Sequence, residues 1–312
     1  HTDVPVQVDL DALRYRGASR ERCYDLFSRL AFRTLVNDYA PTAESVARDY
    51  ALIHTLDELD ALVTEIRAAG RMALRVVIDG DAPMRAPIAG LAIAVGPRRA
   101  RYIPFASEGP GPQDLLAEPS TSLTADAALR RLAPVFADST IRKVGHDLKV
   151  DAIALAARDV RLEGLSFDAM LASYLIDATR PSHLLEEMAL EHLGYRAITR
   201  EEVCGKGAKS VRLDTLAPEA VLTYAGERAD LAGQLEAPLD ALVTANQLGD
   251  VYRQLEMPLV PVLVDIERVG VRLDTAALAV QSRTMDEQLG QLTGRIHALA
   301  GESFNINSPK QL

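Results

Sequence analysis

Between Ile141 and Asp177 the chain switches its hydrophobic period several times within a few residues, and an α/β fold is what accommodates that. A short β-type run, Ile141 to Val144, meets a turn at Gly145, and an amphipathic helix opens at Leu148. A second turn follows at Glu163 to Leu165, and another helix opens at Asp168. Acidic side chains stand at both helix starts, Asp147 and Asp168, where an aspartate ordinarily caps the helix by accepting from orphan backbone N–H groups. Capping does not explain Asp151. One turn beyond Asp147 and on the same helical face, it sets a second carboxylate beside the first. Two carboxylates at i and i+4 near a strand end are donors that a divalent cation takes.

Taken in order, the first fifty residues read as a preamble. Leu13 to Asn37 shows apolar residues at helical spacing that Pro41 terminates, and a linker is expected over Asp38 to Tyr50. Thr55 then opens a helix with Glu58 completing a capping box, and Gly70 stops it. Met72 to Ile78 and Ile88 to Val95 are apolar runs across a Pro-containing turn, expected as an antiparallel pair. Arg101 to Pro104 is a third expected strand and Gly109 to Pro112 a loop. From Thr124 the pattern is mostly helical. Beyond Leu255 it changes again: Pro258 and Pro261 punctuate a helix start, Gly270 closes that helix, and Asp274 caps another that runs to Leu299 before Gly301. Leu278, Met285, Leu289, Leu292, Ile296 and Leu299 form a seam suited to one partner helix.

Composition limits the function classes. The 312 residues suffice for one large or two ordinary domains, and 48% hydrophobic with 25% charged residues is ordinary for a globular chain. A net charge of −10 argues against holding nucleic acid by bulk positive charge, though a local basic cleft stays open. Cys23 and Cys204 are far apart and suggest neither a zinc site nor a disulfide framework, which fits a reducing cytoplasm. No apolar run of membrane-spanning length and no secretory leader is present. The abrupt start without Met and the stop inside SPKQL read as an excerpt from a longer chain.

HDLKVD followed by FDAML and SYLID resembles the second exonuclease motif of the family A DNA polymerases, the DNA polymerase I group. GKGAKS at Gly205 to Ser210, YAGERAD at Tyr224 to Asp230, LEMPLVPVLVDIERVGVRLD at Leu255 to Asp274 and FNINSPKQL at Phe304 to Leu312 follow in the family's order. The resemblance covers most of the chain from about Leu56. It implies a ribonuclease H-like 3′-5′ exonuclease fold, a mixed sheet flanked by helices, followed by the first helices of a polymerase thumb. On that reading residues 1–50 are linker from a 5′-nuclease domain, 51–250 the exonuclease-like domain, and 251–312 the start of the polymerase domain.

A proofreading nuclease of this kind uses two metal ions roughly 3.5 to 4 Å apart, held by carboxylates from three motifs. The resemblance places those ligands at Arg75, Val77, Asp151 and Arg228, with Asp147 where the family carries Asn and Tyr224 where it carries the tyrosine that orients water. Four negative charges have become a net +1, and an arginine stays protonated and occupies a cation's place. Arg75 and Arg228 are therefore expected to form relic ion pairs with Asp147 and Asp151, with no metal, leaving Asp151 and Tyr224 as vestigial catalytic positions. Asp79 and Asp81 form a D-x-D, but a four-residue slip along a strand is roughly 13 Å. Glu227 and Asp230 flank Arg228 and point elsewhere on a helix. His146 is read as structural.

The palm motifs that the family uses for nucleotidyl transfer do not occur in these residues, so no cofactor is expected here, whereas Mg²⁺ is expected for the parent polymerase. DNA is the expected partner through that parent, with Lys206, Lys209 and Lys310 as candidate contacts, and a cytoplasmic monomer with no membrane association is the expected state. Two rivals are an active exonuclease with an unorthodox site of Asp79, Asp81, Asp147 and Asp151, and a non-catalytic single-strand DNA-binding module, which needs a basic cleft.

Overall fold

The computed structural model describes Arg14, residues 17–105 and residues 123–311, and divides into two compact units between Arg268 and Val269. The loop expected at Gly109 to Pro112 lies outside the described residues, as do 13, 15 and 16 of the expected first helix.

Ser19 caps α1 (Arg20–Arg29), and α2 (Arg33–Tyr39) follows it. The single helix expected over Leu13 to Asn37 is thus broken, because Ala31 takes a left-handed φ of 56° that no helix continues through. The expected linker over Asp38 to Tyr50 already contains the start of β1 (Asp49–Leu52). α3 (Leu56–Ala69) carries the capping box of Thr55 and Glu58 and ends at left-handed Gly70.

β2 (Arg71–Ile78), β3 (Ile88–Gly96) and β4 (Arg99–Pro104) form the antiparallel centre of a six-stranded sheet. After α4 (Ala125–Phe136) come β5 (Arg142–Gly145), α5 (Leu148–Ala156), β6 (Leu165–Asp168) and α6 (Ala169–Ile176). The sheet order is β1-β4-β3-β2-β5-β6, with β1 parallel to β4, and β5 parallel to both β2 and β6. β6 is a strand where the sequence suggested only a turn and a helix start. Four residues are too short to show a period, and the pairing comes from β5, to whose Lys143 carbonyl Ser166 Oγ also donates at 3.0 Å.

α7 (Leu185–Leu193) and the short α8 (Arg200–Cys204) lead to the long α9 (Pro218–Ala245), which packs along all six strands. Close approach is possible because its sheet-facing side is small. A Cβ on Gly226 would stand 2.6 Å from the Tyr50 ring, and one on Gly233 3.0 Å from Ala73 Cβ. Ala73 therefore faces α9, and strand alternation sends Arg75 and Val77 to the same side. Leu74, Val76, Leu91 and Ile93 are buried in the core.

α10 (Gly249–Val251) passes through a π-helical turn, Tyr252–Glu256, into α11 (Met257–Val269), whose Val260 and Val264 pack with Ala152 and Ile153. The second unit holds α12 (Thr275–Ala300), capped by Asp274 through the N–H groups of Ala276 and Ala277 and ended by left-handed Gly301. No helix among the described residues is long and apolar enough to cross a membrane.

Candidate exonuclease-like cleft

β2, the β5–α5 turn, α7 and α9 surround a cleft of about 460 Å³. Arg75 and Val77 enter it from β2, His146 and Asp147 from the turn, Glu186 from α7, and Tyr224 and Arg228 from α9. At Gly145 in this turn a Cβ would stand 2.4 Å from Leu148 Cδ2, so a larger residue there would have to displace the fully buried Leu148 side chain. Asp81 also lines the cleft, whereas Asp79 is spent at its rim, ion-paired with Arg200 and, at 3.2 Å, with Arg212.

Asp168 governs the local geometry. Its carboxylate accepts from Met170 N at 2.9 Å and Leu171 N at 3.3 Å, capping α6. It also accepts from Asp147 N at 3.1 Å and Leu148 N at 2.7 Å, so one buried side chain caps one helix and clasps the start of another. Its own backbone N–H donates to Tyr252 Oη at 2.7 Å. Asp147, expected as an N-cap of the same kind, makes no side-chain capping bond and sits at a left-handed φ of 59°. Asp168 has taken over its capping duty from the neighbouring strand.

Asp151 is fully buried at the edge of β2. Its Oδ1 accepts from Val76 N at 2.9 Å and lies 3.7 Å from Arg75 Nη1, while Oδ2 accepts no hydrogen bond. Burial pushes its carboxyl up to about 7, against the opposing pull of the Arg75 charge and the Val76 N–H. Burial and the Asp168 charge likewise hold Asp147 above the usual carboxylate range. Arg75 also donates to the His146 carbonyl at 3.0 Å.

Arg228 does not pair with Asp147 or Asp151 as the sequence suggested. Its Nη1 meets Glu186 Oε1 at 2.7 Å, Nη2 donates to the Ile198 carbonyl at 2.5 Å, and the guanidinium lies 4.7 Å from the Tyr224 ring centroid. The reason is reach. Glu186 opens the first turn of α7 beside α9, and Arg75 already stands at Asp151. Nothing in the spacing of LLEEMAL marks Glu186 as that partner.

Glu227 and Asp230 turn away from the cleft. Glu227 accepts from Tyr195 Oη at 2.6 Å and Ile198 N at 2.7 Å, and Asp230 from Tyr50 Oη at 2.6 Å and Arg98 N at 2.8 Å. His146 Nε2 faces the His183 carbonyl at 2.8 Å, so that nitrogen carries the proton, and burial pushes the imidazole down to about 4. Lys206 pairs with Glu201 at 2.7 Å, Lys209 is exposed on a 3₁₀ turn (Gly207–Lys209), and Lys310 belongs to the second unit. The three lysines therefore make no common surface within one unit.

These donors do not fit two hard cations. Both Asp168 oxygens serve backbone N–H groups, Asp79 serves arginines, and Asp151 shares its environment with a guanidinium. Among the described residues no group of three or more His, Cys, Asp or Glu side chains is placed to hold a metal ion.

A family model described as DNA polymerase I, ribonuclease H-like domain, matches residues 118–229. The chain is 32% identical over 326 residues to DNA polymerase I of Pseudomonas aeruginosa, covering 100% of the chain and 35% of that protein. It is 33% identical over 318 residues to DNA polymerase I of Geobacillus stearothermophilus, covering 99% and 33%. The chain thus spans about a third of the length of these curated relatives. The POL domain of Pol1 from M. smegmatis, solved with DNA primer-template and dNTP, superposes with a TM-score of 0.62 at 21% identity over 83% of this chain and 39% of that one. Brucella melitensis NrnC superposes at 0.50 and 18% identity over 72% and 93%, a likeness of fold alone. The chain belongs to the DNA polymerase I family and carries that family's ribonuclease H-like domain.

Proposed function

We propose that this chain is part of a DNA polymerase whose whole-protein activity is template-directed DNA synthesis in replication and repair, and that its ribonuclease H-like domain acts as a scaffold, not as a proofreading nuclease. The observation that carries the second half is Arg75 beside Asp151. A fixed guanidinium stands where a hydrolytic site needs carboxylates, and Asp168 and Asp79 are committed to backbone and arginine partners. Residues 251–312 are read as the start of the polymerase domain, with DNA met by the whole protein as a cytoplasmic monomer and Mg²⁺ serving its polymerase site. Labelled single-stranded DNA incubated with the purified chain and Mn²⁺ tests the scaffold reading. Intact 3′ ends support it, and metal-dependent shortening that Asp151→Ala abolishes removes it.

A further inference from the structure

Two oxygen-bearing groups meet one guanidinium on the cleft floor. Asp151 offers Oδ1 at 3.7 Å from Arg75 Nη1, with Oδ2 buried and without a hydrogen bond. The His146 carbonyl accepts from the same Nη1 at 3.0 Å. Asp147, relieved of capping, is held left-handed at the mouth of the turn and lines the same cleft. Carboxylate and carbonyl form an oxygen pair that suits a cation, and the cation present is covalently part of β2.

We propose that Arg75 is a tethered counter-cation, a positioning residue that holds α5 against β2, and that the seat it fills is intact: without its side chain the Asp151 carboxylate and the His146 carbonyl take a small free cation of the guanidinium class. The inference rests on the reading that the cleft holds no nuclease metals. Arg75 reaches its partners from a partly exposed position, its side chain 23% accessible, so the seat opens to solvent once the chain is shortened. A guanidinium suits it because planar N–H donors can meet a carboxylate and a carbonyl together.

The test is thermal unfolding of the full chain carrying Arg75→Ala, with methylguanidinium chloride titrated against NaCl at equal ionic strength. The variant is expected to melt several degrees below the parent, and methylguanidinium to return a saturable part of that loss. No such gain is expected in the parent or in Arg75→Ala/Asp151→Asn. Absence of any gain beyond NaCl, or an equal gain in the double variant, overturns the proposal. Should Arg75→Ala fail to fold, Arg75→Met and Arg75→Met/Asp151→Asn carry the test. The double variant must then be the more stable of the two, and a double no better than the single overturns the tethered-cation role. DNA digestion by the parent would instead overturn the scaffold reading, whereas a failed rescue leaves that reading standing.

Discussion

Arg228 on α9 reaches Glu186 at the start of α7, Nη1 to Oε1 2.7 Å, with its guanidinium stacked over Tyr224. The pair is largely shielded, with side chains 10% and 23% accessible, and Arg228 Nε has no hydrogen-bond partner of its own. Glu186→Ala therefore leaves a mostly buried positive charge unpaired and is expected to cost about 2 to 4 kcal/mol in urea unfolding. Arg228→Met, which removes the charge but keeps the bulk over Tyr224, is expected to cost less. A Glu186→Ala variant as stable as the parent would show that the pair carries no weight.

Asp168 holds four backbone N–H groups from two helices with one carboxylate. Asp168→Ala strands all four and is expected to cost about 3 kcal/mol or more, whereas Asp168→Asn, which keeps one acceptor oxygen, should lose less. Equal losses in the two variants would contradict the clasp.

Asp151 gives the molecule a pH dependence of definite sign. Its folded carboxyl titrates near 7 because burial outweighs Arg75 and the Val76 N–H, while an unfolded aspartate titrates at about 4. The native state thus keeps a proton that the unfolded state has released, so this contribution is full below the unfolded value and is lost as pH rises through 7. Asp147 and Asp168, which face Asp151 with Arg75, add to its resistance to ionising. Denaturant unfolding of Asp151→Asn against the parent should shift in the variant's favour between pH 5 and pH 8 by about 1 to 3 kcal/mol. A difference that does not change with pH would contradict this.

Gly226 lies where α9 packs on Tyr50 of β1. Gly226→Ala would drive a Cβ to 2.6 Å from the Tyr50 ring, which is itself tied to Asp230. About 1 to 3 kcal/mol of destabilisation is expected from this overpacking, measured by thermal melting, and Tyr50→Leu in the same chain should relieve part of it.

The strongest local signals were legible in the sequence for physical reasons. The Thr55–Glu58 capping box and Gly70 bound α3, the apolar runs became β2 and β3 in antiparallel register, and Asp168 caps α6. The elements that escaped are those specified from outside themselves. β6 exists because β5 pairs with it, and α1 and α2 separate at a left-handed Ala31 that no propensity announces. In the cleft the motif register identified Arg75, Val77, Asp147, Asp151, Tyr224 and Arg228, and five of these six line the cavity with Asp151 behind Arg75. Partner choice was the part that spacing could not give. Arg228 finds Glu186, and Asp168 caps what Asp147 was expected to cap, because both partners arrive from distant segments.

The central claim is that the cleft holds a guanidinium where a nuclease would hold metals. Isothermal titration of Mn²⁺ into the purified chain, with labelled single-stranded DNA digested by the same preparation, tests it most directly. No saturable binding and no shortening of the 3′ end is the predicted result. Saturable binding of two ions per chain with metal-dependent digestion, both lost in Asp151→Ala, would contradict it.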